Sequence, residues 1–249
     1  MEIQRILHKF DSLMESKDFD EAERLLTYWI DECEANGDKR NRFTLLNELV
    51  GFYRMRGERV QGLKVSTVLL DTVADMNLSD KVSGATAFIN VATAYKSFGM
   101  ADRALQLYEK ALIIYERELD NADGRLPALH NNMALALVDI AGNDINLTDK
   151  FEKASELYKK ALSFLRNIEG SENEQAITYL NMADLAVIEL GAEESEQIVE
   201  EYIGKAYELL EKSRRDSNPD FRMTMEKCIP VFRHYGYFMM ANNLQETIL

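Results

Sequence analysis

Residues 87–112, AFINVATAYKSFGMADRALQLYEKAL, decide the fold of this chain. The first half carries four apolar residues at the spacing i, i+3, i+4, i+7, which lie along one side of a helix: Phe88, Val91, Ala92 and Tyr95. Gly99 follows, a residue type that commonly ends helices. A second apolar stripe then runs through Ala104, Leu107, Tyr108 and Ala111. The stretch therefore predicts two antiparallel helices joined by a tight turn.

The pattern of the second helix recurs along the chain. It consists of a small residue, an apolar residue four positions later and another apolar residue three further on. The other copies are Ala22/Leu26/Trp29, Gly62/Ser66/Leu69, Ala154/Tyr158/Ala161 and a weaker Val199/Ile203/Ala206. The last members of successive copies are 40, 42, 50 and 45 residues apart. A recurrence at this period indicates an array of helical hairpins.

A candidate first helix precedes each copy, and a sixth, weaker pair of helices closes the chain. The predicted repeats span 2–38, 39–78, 79–121, 122–170, 172–215 and 219–249. Pro230 lies within the first helix of the sixth pair. A proline in a helix interior kinks the chain or forces the helix to restart, so we expect an irregular end to the array.

Six positions in residues 85–112 resemble the signature of the tetratricopeptide repeat family: Ala92, Tyr95, Gly99, Ala104, Tyr108 and Ala111. The repeat period is longer than the usual 34 residues and resembles the extended repeats of kinesin light chains and of bacterial Rap-type peptide receptors. The resemblance implies an all-α, right-handed superhelix (an α-solenoid) of five to six antiparallel hairpins. We expect one continuous domain over residues 1–249.

Net charge and composition exclude some classes of partner and of function. The formal net charge is −14, which argues against general attraction to nucleic acid or to an anionic membrane. The N-terminal segment lacks an apolar signal region, so we expect a cytoplasmic protein. Cys33 and Cys228 form no CxxC pair, and the sequence holds no nucleotide-binding, metalloprotease or hydrolase motif. We therefore expect no enzymatic activity, no metal and no cofactor.

An Asn-x-Ala pattern marks three first helices, at Asn90, Asn132 and Asn181. At 100° per residue, each asparagine falls opposite the apolar stripe of its own helix. In the tetratricopeptide family the first helices form the concave wall, so the resemblance implies that these amides face the groove. An amide offers both donors and an acceptor, which suits an extended peptide backbone. The alternative is that the asparagines cap or bridge helices, or lie in solvent.

Asn47 is a displaced counterpart of these asparagines, six residues before Tyr53 where Asn90 is five before Tyr95. Further residues on the same predicted wall would add specificity: Asn131, Thr93, Lys96, Arg54, Asp184, Leu135 and Val187. They do not reproduce the two-lysine, two-asparagine clamp by which chaperone-binding members of the family hold a C-terminal carboxylate.

The function expected from these features is a scaffold that binds a protein or peptide segment in its concave groove. One alternative is a bacterial signal-peptide sensor, although the first repeat begins so early that we expect no preceding effector domain. Another is an assembly scaffold that acts through its convex face or by self-association. We expect the apolar C-terminal residues 237–249 to pack on the preceding hairpin or on a second subunit.

Overall fold

The computed structural model describes residues 2–142, 147–215 and 221–248. The described residues form twelve α-helices: α1 Ile3–Glu15, α2 Phe19–Ala35, α3 Lys39–Arg56, α4 Arg59–Asp75, α5 Val82–Ser97, α6 Ala101–Glu118, α7 Arg125–Ala141, α8 Thr148–Leu165, α9 Glu172–Leu190, α10 Glu196–Arg215, α11 Phe221–His234 and α12 Phe238–Glu246. Consecutive helices pack in pairs, α1 with α2 through α11 with α12. The predicted all-α fold of helical hairpins is confirmed.

The chain divides into two compact units, Met1–Glu118 and Leu119–Leu249. In unit 1 the first helices α3 and α5 contact each other, and α2 and α4 each pack on the first helix that follows. In unit 2 the first helix α9 contacts both α7 and α11. Each helix pair falls within one predicted repeat range, although 143–146, 219–220 and 249 lie outside the described residues. That the whole chain forms one domain stays a prediction.

The apolar stripe predicted on the second helices is the core of the hairpins. Ala104, Tyr108 and Ala111 of α6 are fully buried, and Ala154, Tyr158 and Ala161 of α8 are buried to the same degree. Trp29 is only half-buried. Small residues at the first and third positions let the neighbouring helix approach closely, while the tyrosine fills the space between them.

The second repeat departs from this pattern because a residue of the next hairpin fills the space. A Cβ added at Gly62 would lie 2.6 Å and 2.7 Å from two ring atoms of Phe98. Ser66, at the position that holds tyrosine in α6 and α8, is fully buried. The Phe98 ring therefore occupies the volume that a larger residue at position 62 would need.

The helix ends follow the turn that the sequence predicts. After α5, the Met100 N–H donates to the Tyr95 carbonyl at 2.9 Å, and Gly99 between them has a φ of +75°. Such a left-handed residue closes a helix by capping its last free carbonyls, and glycine adopts this conformation without steric cost. α11 runs through Pro230, so of the two expected outcomes, a kink or a restart, the restart does not occur.

We expect Glu48→Gln to stabilise unit 1 near neutral pH. Burial, together with the like charge of Asp11, raises the pKa of the Glu48 carboxyl. A raised pKa in the folded state means that ionisation opposes folding, and the penalty grows as pH rises from the unfolded toward the folded pKa. The variant should therefore be more stable than the wild type at pH 7 and equally stable at pH 3.5, where the carboxyl is mostly protonated in both states.

Urea unfolding of the wild type and the variant at the two pH values measures this difference. Asp11→Asn serves as a control, since it removes the like charge and leaves the burial of Glu48 unchanged. It should shift stability in the same direction by a smaller amount. An equal gain for Glu48→Gln at both pH values would contradict the prediction.

Candidate functional site

In unit 1, two of the predicted asparagines meet between successive first helices. The Asn90 amide on α5 donates from Nδ2 to Asn47 Oδ1 on α3 at 2.8 Å. Asn47 in turn donates from Nδ2 to the Phe43 carbonyl at 2.8 Å. Both asparagines are half-buried. Residues 43 positions apart in the sequence therefore form a short chain of hydrogen bonds that fixes the orientation of both amides.

The threonines of α5 face the second helix of their own hairpin. Thr93 Oγ1 lies 3.0 Å from the Tyr108 hydroxyl, and it also donates to the Ile89 carbonyl at 2.8 Å. Thr86 Oγ1 lies 2.8 Å from the Tyr115 hydroxyl. Because these side chains hydrogen-bond α6, α5 is packed on more sides than a single apolar stripe indicates.

In unit 2, the same kind of bridge joins α7 to α9. Asn131 donates from Nδ2 to Thr178 Oγ1 at 2.8 Å. Asn132 and Asn181 are half-buried, on α7 and α9 respectively. Within the described part of the chain, neither of these two side chains has a hydrogen-bond partner. Their amides therefore keep their full capacity to donate and accept.

Asp184 and Tyr235 link α9 to the turn that follows α11 in unit 2. The Tyr235 hydroxyl donates to Asp184 Oδ1 at 2.6 Å. Burial, and then this bond to the carboxylate, raise the pKa of Tyr235 above its ordinary value, so the hydroxyl remains a donor. Asp184 is itself exposed, and it can still accept from a ligand through its second oxygen.

The two predicted basic residues lie at helix C-termini. Arg54 is exposed in the last turn of α3, and Lys96 is half-buried in the last turn of α5. Cations at these positions interact favourably with the negative end of the helix dipole. The helix dipole therefore favours a basic residue at both positions.

The structure also contains surface cavities that the sequence reasoning missed. In unit 1, a cavity of about 420 Å³ lies between α1 and α2 beside Trp29, and one of about 320 Å³ spans α2, α3 and α4. In unit 2, a cavity of about 240 Å³ spans α8, α9 and α10. Each cavity is lined by residues of separate helices, so no local sequence motif predicts it.

The described residues contain neither a cluster suited to a metal ion nor a helix suited to crossing a membrane. In that part of the chain, no group of three or more His, Cys, Asp or Glu side chains is arranged to hold a metal ion. Nor does any helix described there combine the length and the apolarity that a membrane crossing requires. Cys33 and Cys228 are buried free thiols, and burial raises the pKa of Cys228 to about 12.

The geometry described so far defines the class of protein: an array of helical hairpins whose first helices are bridged by polar side chains. Comparison with family models then shows which known repeat family this class of protein resembles. Residues 85–123 match the tetratricopeptide repeat family model. The resemblance inferred from Ala92, Tyr95, Gly99 and the tyrosine of α6 is thereby confirmed. No curated protein matches the chain in sequence.

Solved structures show the same fold at low sequence identity. The nearly identical TPR-like repeats assigned to a kinesin light chain of Podosopora anserina share 16% identity, with a TM-score of 0.51 and coverage of 83% of this chain and 93% of theirs. A single-residue variant of the same repeats gives a TM-score of 0.53 over 83% and 92%. BtubC (BKLC) of P. vanneervenii shares 17% identity, with a TM-score of 0.52 over 100% and 90%. The likeness to these repeat proteins shows the tetratricopeptide-type fold, which generally serves protein–protein interaction.

Proposed function

We propose that this protein is a non-enzymatic scaffold that binds an extended peptide segment of a partner protein along its first helices. The asparagines of these helices contact the peptide backbone, and other residues of the same helices add specificity: Arg54, Thr93 and Lys96 in unit 1, and Asn131 and Asp184 in unit 2. Two buried, unpaired thiols suit the reducing cytoplasm, which we propose as the location. The proposal is made for each unit separately.

The observation that carries the proposal is the Asn47–Asn90 bridge. It takes one N–H of Asn90 and leaves its other N–H and its Oδ1 with no partner in the described part of the chain. One donor and one acceptor on a single planar group match the C=O and N–H of an extended backbone. Since Asn47 already orients the amide, little side-chain entropy remains to be lost on binding.

In unit 2, Asn132 and Asn181 offer the same chemistry without prior orientation. The hydrogen bond between Asn131, adjacent to Asn132, and Thr178, three residues before Asn181, holds α7 and α9 together. A peptide backbone that donates to and accepts from the two asparagines would satisfy half-buried polar groups that otherwise depend on water. Each such hydrogen bond contributes about 1 kcal/mol net.

We expect the triple variant Asn90→Ala, Asn132→Ala, Asn181→Ala to lose peptide affinity about fivefold at unit 1 and about 25-fold at unit 2, since each lost bond costs about fivefold. The ligand is first selected from a random peptide library displayed on phage against the wild-type chain. Fluorescence polarisation with the selected peptide then gives Kd for the wild type and the variant. The single variants should each lose about fivefold.

Asn242→Ala is the matched control, because Asn242 is an exposed helical asparagine on the second helix α12. Its Kd should equal that of the wild type. N-methylation of individual peptide bonds in the ligand provides a second check, because it removes a backbone N–H and leaves the side chains in place. Unchanged affinity of the triple variant would refute the asparagine contacts and favour an assembly scaffold that uses another face.

The apolar end of unit 2 supports a second function, self-association. On α12, Ala241 and Leu244 are buried, while 61% of Phe238 and 76% of Met239 are exposed. Two large apolar side chains left in solvent next to each other form a patch typical of an interface. We propose that this patch pairs two copies of the chain.

We expect Phe238→Ser, Met239→Ser to shift the chain toward the monomer, as measured by light scattering over a range of protein concentrations. The double variant leaves the buried face of α12 intact and should not lower the stability of the hairpin. Met55→Ser, which changes another exposed apolar residue, is the control and should not alter the mass. A monomeric wild type at all concentrations would contradict self-association through α12.

A further inference from the structure

The cavity of about 240 Å³ in unit 2 differs in chemistry from the asparagine-bearing surface of the first helices. It lies between the second helices α8 and α10, with α9 as its floor. Its walls carry three basic residues, one acidic residue and two tyrosines: Lys159, Arg166, Lys205, Glu201, Tyr179 and Tyr202. The formal charge of this lining is +2, in a chain whose net charge is −14.

Two of the three cations have no carboxylate partner in the described residues. Arg166 donates from Nη2 to the Tyr179 hydroxyl at 3.1 Å, and its remaining N–H groups point to no described acid. Lys159 is exposed and forms no ion pair with a described residue. Lys205 alone is paired, with Glu201 one turn earlier on α10. The cavity therefore presents two cations that no described carboxylate pairs with.

Two aromatic rings hold Lys205 in position. Lys205 Nζ lies 5.4 Å from the centre of the Tyr179 ring and 6.0 Å from that of Tyr202. The two rings are 5.8 Å apart, and Tyr179 is buried. Contact with aromatic faces attracts a cation and limits its freedom. These contacts hold Lys205 and the two rings in place before any ligand arrives.

The corresponding cavity of unit 1 shows that the positive charge is not a general property of this position. That cavity lies between α2 and α4 over α3, and its charged lining residues are Asp31, Glu34, Arg42 and Lys64. Their charges cancel, and Arg42 pairs with Glu34 at 3.3 Å. Of these two cavities, the one in unit 2 combines uncompensated cations with tyrosines.

We propose that the cavity between α8 and α10 binds a glutamate or aspartate side chain of an acidic segment in a partner protein. Arg166 binds the carboxylate through its planar guanidinium, Lys159 adds a second charge, and the tyrosine rings contact the aliphatic part of the same side chain. Lys159 lies on the second helix α8 and Arg166 directly follows it, so the carboxylate contact adds an interaction to the peptide binding proposed for the first helices and does not depend on it.

The test is a titration of the full-length, ¹⁵N-labelled chain with the blocked peptide acetyl-Glu-Glu-Glu-Glu-amide at low salt, followed by two-dimensional NMR. We expect the amide signals of residues 159–166, 179–182 and 201–205 to shift, and the shifts to weaken as salt is added. Lys159→Gln, Arg166→Gln should weaken binding at least tenfold. Tyr179→Phe keeps the ring and removes the hydroxyl that contacts Arg166, and it should weaken binding by a smaller factor.

Lys64→Gln removes a cation from the neutral cavity of unit 1 and is the matched control, with unchanged binding expected. A dispersed spectrum shows that each variant is folded. The proposal is overturned if acetyl-Gln-Gln-Gln-Gln-amide produces the same shifts, or if the double variant binds tetraglutamate as the wild type does. Tighter binding of inorganic phosphate than of tetraglutamate would also overturn it, because the cavity would then be a site for a free anion.

Discussion

Gly84→Ala is expected to lower the free energy of unfolding by about 3 kcal/mol. Gly84 lies in the first turn of α5, against the connection from α4. A Cβ at this position would overlap the Leu78 carbonyl oxygen and lie 2.7 Å from the carbonyl carbon. These are backbone atoms, and the same carbonyl accepts a hydrogen bond from the Lys81 N–H at 2.9 Å. The connection cannot move without losing that bond.

Gly51→Ala is the control for this prediction. Gly51 lies within α3, and a Cβ there would meet no atom within 4 Å. Alanine is a better helix former than glycine, so this variant should gain about 1 kcal/mol. Urea unfolding followed by circular dichroism measures both changes. Two variants of equal stability would show that the approach of Leu78 to Gly84 is unimportant.

Tyr108→Ala is expected to cost about 4 kcal/mol, because it removes a large, fully buried side chain from the core of the α5–α6 hairpin. Tyr108→Phe keeps the ring and removes only the hydroxyl that lies 3.0 Å from Thr93 Oγ1. The loss of one neutral hydrogen bond should cost about 1 kcal/mol. Most of the stabilisation by Tyr108 is therefore assigned to packing.

A double-mutant cycle with Thr93→Val tests the hydrogen bond itself. If the two hydroxyls interact, Tyr108→Phe and Thr93→Val should show a coupling free energy of about 1 kcal/mol. Additive effects would mean that each hydroxyl is satisfied by another group. The same cycle also bears on the proposed site, since it measures how firmly Thr93 is held by α6 and hence how available it is to a peptide.

The hairpin fold could be predicted from the sequence because the repeats are encoded locally. The spacing of Ala104, Tyr108 and Ala111 matches the helical period, and all three are buried. Gly99 marks a turn because few other residues adopt its positive φ without strain. Such signals need only residues within a few turns of each other. The irregular second repeat could not be explained in this way, because Phe98 reaches Gly62 from the next hairpin.

The residue types of the candidate site could be predicted from the sequence, but the hydrogen bonds between its helices could not. The recurrence of Asn90, Asn132 and Asn181 singled out an amide at one position of the first helix. A helical wheel treats each helix alone, however, and it could not show that Asn47 binds Asn90 or that Thr93 faces Tyr108. These contacts depend on how one helix packs on another. The basic cavity between α8 and α10 was missed for the same reason.

The sequence by itself determined that the chain folds into helical hairpins of the tetratricopeptide type, since helical period, small-residue spacing and turn residues are local properties. Only the tertiary structure decided which polar groups are already bonded, as Asn90 is, and which still lack a described partner, as Asn132 does. It also decided that Lys159, Arg166 and Lys205 share one cavity. Hydrogen bonding and electrostatics act over a few ångströms in space, and the cavity residues brought within that range are separated by up to 46 positions in the chain.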